Sequence, residues 1–384
     1  MMTRRERLMA TLQGRPVDRP AVNLYEIGGF AVDPSDPDPF NVYNDPSWRP
    51  LLQLAEERTD LIRMRSAVRS RSWDPQSAVA RSDFIQAHHY TEDRWDCTRV
   101  TVRIGGRTLT STRRRSPDAD TVWTTEHLLK SVDDLQAYLQ LPDDFFVEDV
   151  DATPLIEEDH RLGDRGIVMV DTEDPICAAA SLFGMEDFVV IAMTEQQLFH
   201  RLLEKLSRPI YARTEAVSEV FPGHLWRIYG PEYAAEPFLP PHLFREYVVR
   251  YTTPMVQAIH KRGGFARVHC HGRLRAILDD IASMGTDAID PIEPPPQGDV
   301  KLDYVRQKYG KQLTLFGNIE VSSIEMLEPA EFEIVVAKAL IDGTRGQGRG
   351  FVLMPSSAPN GRQITARTLK NYEAMVRLAE SFRP

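Results

Sequence analysis

Along the chain, short runs of β-branched or apolar residues alternate with longer stretches in which apolar positions recur every three or four residues. That is the rhythm of strand followed by amphipathic helix. Strands are expected at 21–25, 60–64, 166–170, 225–229, 266–270, 287–290, 312–316 and 351–354. Helices are expected at 48–58, 202–220, 241–261, 274–284, 302–309, 330–341 and 366–382. Eight strands with crossover helices close most economically into a single α/β (β/α)8 TIM barrel. Residues 3–13 place Leu8, Met9 and Leu12 on one side of a further helix, stopped by Gly14 and Pro16 and expected as a lid or edge element. The rhythm breaks at 82–150, where polar and apolar positions alternate around Gly105 and Gly106 as in a β-hairpin. An inserted β-ribbon and helix region over the barrel mouth, between the second and third strands, is therefore expected within one domain spanning 1–384.

The chain has 384 residues, 42% of them hydrophobic, enough for one large core. Its net charge of -10 argues against a nucleic-acid partner, which needs clustered Lys and Arg. Cys97, Cys177 and Cys270 form no CxxC pair, so neither a disulfide framework nor a cysteine zinc ribbon is encoded, and a reducing cytoplasm is the expected location. No stretch approaches the roughly 20 apolar residues that cross a bilayer, and no membrane partner is expected.

In a barrel of this kind chemistry gathers at the C-terminal ends of the strands. Glu26 follows the first strand; Asp171, Thr172 and Glu173 follow the third; Tyr229, Glu232 and Tyr233 the fourth. His269, Cys270 and His271 follow the fifth, Asp290 and Glu293 the sixth, Asn318 and Glu320 the seventh, and Ser356 and Ser357 the eighth. Residues two apart on a strand point the same way, so His269 and His271 both face the barrel axis and Cys270 faces outward. Two imidazoles and a carboxylate suit Zn²⁺, with Glu293 as the third ligand; the same imidazoles equally serve as metal-free acids or bases. Asp171 and Glu232 are candidate catalytic carboxyls, and Tyr229, Asn318 and Ser357 candidate cofactor contacts. The prolines of 292–300 are expected to fix Glu293. The glycine-rich run 343–350 precedes the eighth strand rather than opening a helix, so it is not expected to bind phosphate. Arg113 to Arg115 read as a grip for an anion or as a solvated charge run.

These residues resemble the uroporphyrinogen decarboxylase superfamily, over nearly the whole chain. The opening RERLMATLQGRPVDRPAV is similar to its N-terminal helix and Asp-Arg-Pro turn, and the run from Phe265 to Phe382 to its C-terminal half, including Phe316-Gly317-Asn318-Ile319. Two features separate the chain from true porphyrinogen decarboxylases. Tyr25-Glu26-Ile27-Gly28-Gly29-Phe30 stands where they carry Arg-Gln-Ala-Gly-Arg, and Met354-Pro355-Ser356-Ser357 where they carry a histidine. The resemblance is closer to the zinc-dependent methyl-cobamide methyltransferases, whose His-x-Cys-Gly motif matches His269-Cys270-His271-Gly272 with His in place of the ligand Cys. Their last ligand Cys falls near Ser357.

The resemblance implies a metal-assisted methyltransferase in which His269, His271 and Glu293 hold Zn²⁺ and a partner protein carries a corrinoid, with the chain as a homodimer. The alternative is a metal-free decarboxylase or lyase with a His as acid and Arg63 or Arg65 holding a substrate carboxylate. A third reading is a non-catalytic binding barrel.

Overall fold

The computed structural model describes residues 2–70, 84–346, 348 and 350–383; Gln347 and Arg349 of the glycine-rich run and residues 82–83 of the expected insertion lie outside the described residues. In chain order the strands are β1 (Ala21–Val22), β2 (Leu61–Arg65), β3 (Val68–Ser70), β4 (Ile85–Glu92), β5 (Trp95–Ile104), β6 (Arg107–Arg115), β7 (Val122–Glu126) and β8 (Asp149–Asp151). There follow β9 (Gly166–Glu173), β10 (Leu225–Tyr229), β11 (Phe265–His269), β12 (Ala288–Asp290), β13 (Thr314–Ile319) and β14 (Phe351–Pro355).

Eight of these form one curled parallel sheet in the order β1-β14-β13-β12-β11-β10-β9-β2, a TIM-barrel-like arrangement with helices outside. The ladder stops between β1 and β2, and Asp60 bridges the seam. Its N–H donates to Val22 O at 2.7 Å, and its carboxylate accepts from Val22 N at 2.9 Å, from Arg7 at 2.6 Å and from Arg19 at 2.8 Å.

The period-two alternation of the strands separates two apolar layers. Ile62, Met64, Ile167, Met169, Phe316, Val352 and Met354 fill the inside of the sheet. Val268, Cys270, Ile289 and Leu353 face the surrounding helices. The helix Arg4–Leu12 starts at a capping box between Thr3 and Glu6. The expectation of a lid or edge helix is corrected here: Leu8 and Leu12 join the inner layer beside Ala21 and Leu225, so this helix stops the N-terminal end of the sheet, away from the chemistry. Residues 85–126 form a separate four-stranded antiparallel sheet, β4-β5-β6-β7. Among the described residues no helix is long and apolar enough to cross a membrane.

Candidate active site

Three neighbouring strands set the floor of the site. The β10 and β11 register pairs Arg227 with Arg267 and Tyr229 with His269, and the β11 and β12 register pairs His269 with Asp290. Alternation turns Arg227, Tyr229, Arg267 and His269 into the barrel. Two buried guanidiniums would be costly alone, and each has a carboxylate: Arg227 bonds Asp171 at 2.9 Å, and Arg267 Nε lies 2.8 Å from Asp290 Oδ1. The other oxygen of Asp290 meets His269 Nδ1 at 2.7 Å. Although burial works against it, the positive charge of Arg267 and the hydrogen bond from His269 hold the Asp290 carboxyl down at about 2. Burial, with the Arg227 charge, drives His269 down to about 3, so the ring is neutral. A carboxylate at Nδ1 keeps the ring proton there and leaves Nε2 as an acceptor.

His271 is in a different electrostatic setting. It lies just past the end of β11, its ring 4.5 Å from that of His269 and perpendicular to it, with 36% of the side chain exposed. Gly272, at φ +79, turns the chain immediately afterwards. Glu293 clamps this turn: one oxygen meets His271 Nδ1 at 2.8 Å and the other accepts the Gly272 N–H at 2.6 Å. The loop carrying Glu293 is itself tightly held. Ile292 adopts φ +56, a strained conformation for a β-branched residue, and a side chain on Gly298 would come within 1.9 Å of Glu293 O. Burial pulls the His271 pKa down, but the Glu293 hydrogen bond and charge, helped by Glu232, outweigh it and raise the pKa above its ordinary value. Burial opposes the ionised form of Glu293 as well, yet the same contact holds its carboxyl below the usual range.

Around His271 stand three further carboxyls. Burial raises Glu26, whose Oε2 accepts from Ala358 N at 3.1 Å. Burial also raises Glu232, whose buried Oε2 has no partner. Burial and the nearby Glu293 charge push Glu320 up to about 7; Ser356 donates to one of its oxygens at 3.2 Å while the other is buried without a partner. The mouth thus presents one imidazole favouring its charged form among carboxyls that favour their neutral forms.

The structure brings His269, His271, Glu293, Asp171 and Glu232 to this end of the sheet. Tyr229 joins them with the Arg227 guanidinium 5.1 Å from its ring centre. Glu173 pairs with Arg213 at 3.0 Å. Asn318 lies within β13, half-buried, and Ser357 just beyond β14, also half-buried. Arg63 and Arg65, expected as carboxylate holders, are corrected. Their neighbours Ile62 and Met64 take the inner layer, so both arginines point outward, where they bond the Gly28 and Gly29 carbonyls and pair with Glu158. The sequence reading passed over Arg227 and Arg267. Their signal was present as charged residues at inward positions two before Tyr229 and His269.

The expected zinc set does not fit as it stands. Each imidazole has a carboxylate at Nδ1 and a free Nε2, the orientation of many metal-binding histidines. Glu293, however, spends its two oxygens on His271 and Gly272, and among the described residues no group of three His, Cys, Asp or Glu side chains is arranged to hold a metal ion.

Fold and site together define a TIM-barrel-like α/β protein with a histidine and carboxyl centre at the C-terminal ends of its strands. Residues 118–381 match the family described as Uroporphyrinogen decarboxylase (URO-D), and the chain belongs to that family. Among solved structures it is similar to a methyltransferase from Methanosarcina mazei, with a TM-score of 0.60 and 16% identity over 99% of both chains, a likeness of fold. A weaker match is a candidate fructose-1,6-biphosphate aldolase from Coccidioides immitis, with a TM-score of 0.23 and 13% identity over 59% of this chain and 84% of that one. No curated protein matches the chain in sequence.

Proposed function

We propose that the chain is a methyltransferase that removes a methyl group from an oxygen or nitrogen of a small molecule, with His271 as the acid that protonates the departing heteroatom. The observation that carries this reading is the 2.8 Å contact of His271 Nδ1 with Glu293, which keeps the ring protonated while Nε2 is left to the open mouth. In the step, the carbon–heteroatom bond breaks with its electron pair remaining on the heteroatom. The methyl carbon bonds to a two-electron nucleophile on the acceptor, and the His271 proton passes to the heteroatom. A well-placed acid of this kind contributes about 10²–10⁴ in rate. The acceptor in this reading is a corrinoid carried by a partner protein, which the assay below tests; the family match and the methyltransferase of similar fold support methyl transfer alone.

The alternative of decarboxylation is less well supported by the side chains. Arg63 and Arg65 are committed elsewhere, Arg227 and Arg267 are neutralised by Asp171 and Asp290, and the groups around His271 are the carboxyls Glu26, Glu232, Glu293 and Glu320. The experiment is a single-turnover assay with free cob(I)alamin as acceptor and a panel of methoxy and N-methyl compounds. Methyl-corrinoid formation without CO2 release supports the reading. CO2 release from a carboxylated compound without methyl transfer overturns it.

A further inference from the structure

Beside the histidine centre, between the four-stranded sheet and the barrel, lies a cavity of 660 Å³. Glu173 and Tyr229, at the ends of β9 and β10, form part of its wall. The register that pairs Tyr229 with His269 places this wall one strand spacing, about 5 Å, from the strand that carries His269 and leads into His271. Much of the lining is apolar, with Val100 and Val102 of β5 on the roof and Phe145, Leu206 and Ile210 among the other walls. The strands of the roof lie largely outside the family match, which begins at residue 118.

The charges within this cavity are unequal in their commitments. Arg213 is buried and taken by Glu148 at 2.8 Å and Glu173 at 3.0 Å, so that triad is largely satisfied. Arg113 is different. The three roof arginines divide by alternation: Arg115 pairs with Asp96 and Asp38, Arg114 lies over the Trp95 ring on the outer face, and Arg113 lines the cavity beside Ser111 and opposite Thr98. Among the described residues no carboxylate lies within ion-pair distance of Arg113. One uncommitted guanidinium at the edge of an apolar chamber complements a molecule with an anionic group on an apolar body.

We propose that this chamber is the specificity pocket, and that it takes an aromatic or similarly flat apolar body bearing one carboxylate, held by Arg113, so that a methylated heteroatom at its other end reaches His271. The inference rests on the methyl-transfer reading for the orientation of the ligand, but the binding of the anion does not depend on it. The polarity of the two ends enforces that orientation. A carboxylate turned toward His271 would face the ionised Glu293 and a cation already paired with it, whereas at Arg113 it meets an unpaired cation.

Calorimetric titration of the full chain with 4-methoxybenzoate and with uncharged methoxybenzene tests this without reference to turnover. The acid is expected to bind about tenfold more tightly than the neutral compound, the size of one charge-assisted hydrogen bond. Arg113→Gln should abolish that preference, and Ser111→Trp, which fills the chamber from a half-buried position on the roof, should weaken both ligands. Equal binding of acid and neutral compound by the native protein overturns the proposal, as does a preference that survives Arg113→Gln. Binding with the expected Arg113 dependence but no methyl transfer would keep the pocket and refute the reaction assigned to its neighbour.

Discussion

Glu293→Gln isolates the contact on which the chemistry depends. In the native protein the His271 ring is subject to two opposed effects: burial disfavours its charged form, while the carboxylate 2.8 Å from Nδ1 favours it and prevails. Glutamine keeps the size of the side chain and an acceptor for the Gly272 N–H, but it removes the negative charge. Glu232 adds a smaller contribution that its own burial opposes, and Asp290 is spent on Arg267 and His269, so neither makes up the loss. A charge-assisted hydrogen bond contributes about 1.5–3 kcal/mol, which corresponds to about one to two pKa units. The His271 pKa is therefore expected to move from above its ordinary 6.5 to below it. The sign for stability follows. Native His271 adds stability that is fully present below the unfolded pKa and is lost as the pH rises through the raised folded value, and the variant should lose this contribution. Histidine NMR titration of the native protein, Glu293→Gln and His271→Gln assigns the resonance and reads the shift. A His271 pKa unchanged within about 0.3 units in Glu293→Gln would refute the reasoning.

Two further perturbations test the seam and the carboxyl mouth. Asp60→Ala removes the fully buried partner of Arg7 and Arg19 and the acceptor for Val22 N, and it should cost about 3–5 kcal/mol in urea unfolding; a loss below about 1 kcal/mol would mean that the seam is held by something else. Glu320, raised from 4.5 to about 7, destabilises the fold as it is forced to ionise between those values, so Glu320→Gln should flatten the decline in thermal midpoint as pH rises across that window. Parallel pH profiles for the two proteins would refute the assignment.

The barrel-like fold was legible because its strands are short apolar runs with little competing pattern. The expected strand 225–229 coincides with the observed one, and 266–270 is offset by a single residue. The first strand was overrun: 21–25 shortens to Ala21–Val22 because Asn23 Oδ1 accepts from Tyr25 N and Tyr25 turns to φ +56, a side-chain interaction that hydrophobic period does not encode. The expected helix 274–284 shrinks to Leu278–Ser283, since Asp299 from a distant loop takes the backbone N–H groups of Leu274 and Arg275.

At the site, the spacing of His269 and His271 conveyed that the rings would share a face, but not that they would differ in charge. That difference comes first from the complete burial of His269, with the Arg227 charge, and from Glu293 beside His271, groups contributed by other strands or loops and brought close only by the fold. Arg63 and Arg65 misled for a related reason. In a strand of five residues parity decides which side is inward, and Ile62 and Met64 take it.

The central claim is that a proton held on His271 accompanies methyl departure. Single-turnover transfer to cob(I)alamin, followed with native protein and with His271→Gln on the best substrate of the panel, tests it most directly. Transfer should fall by about 10²–10⁴ in the variant while substrate affinity stays within about threefold. Transfer at the native rate in His271→Gln would contradict the claim.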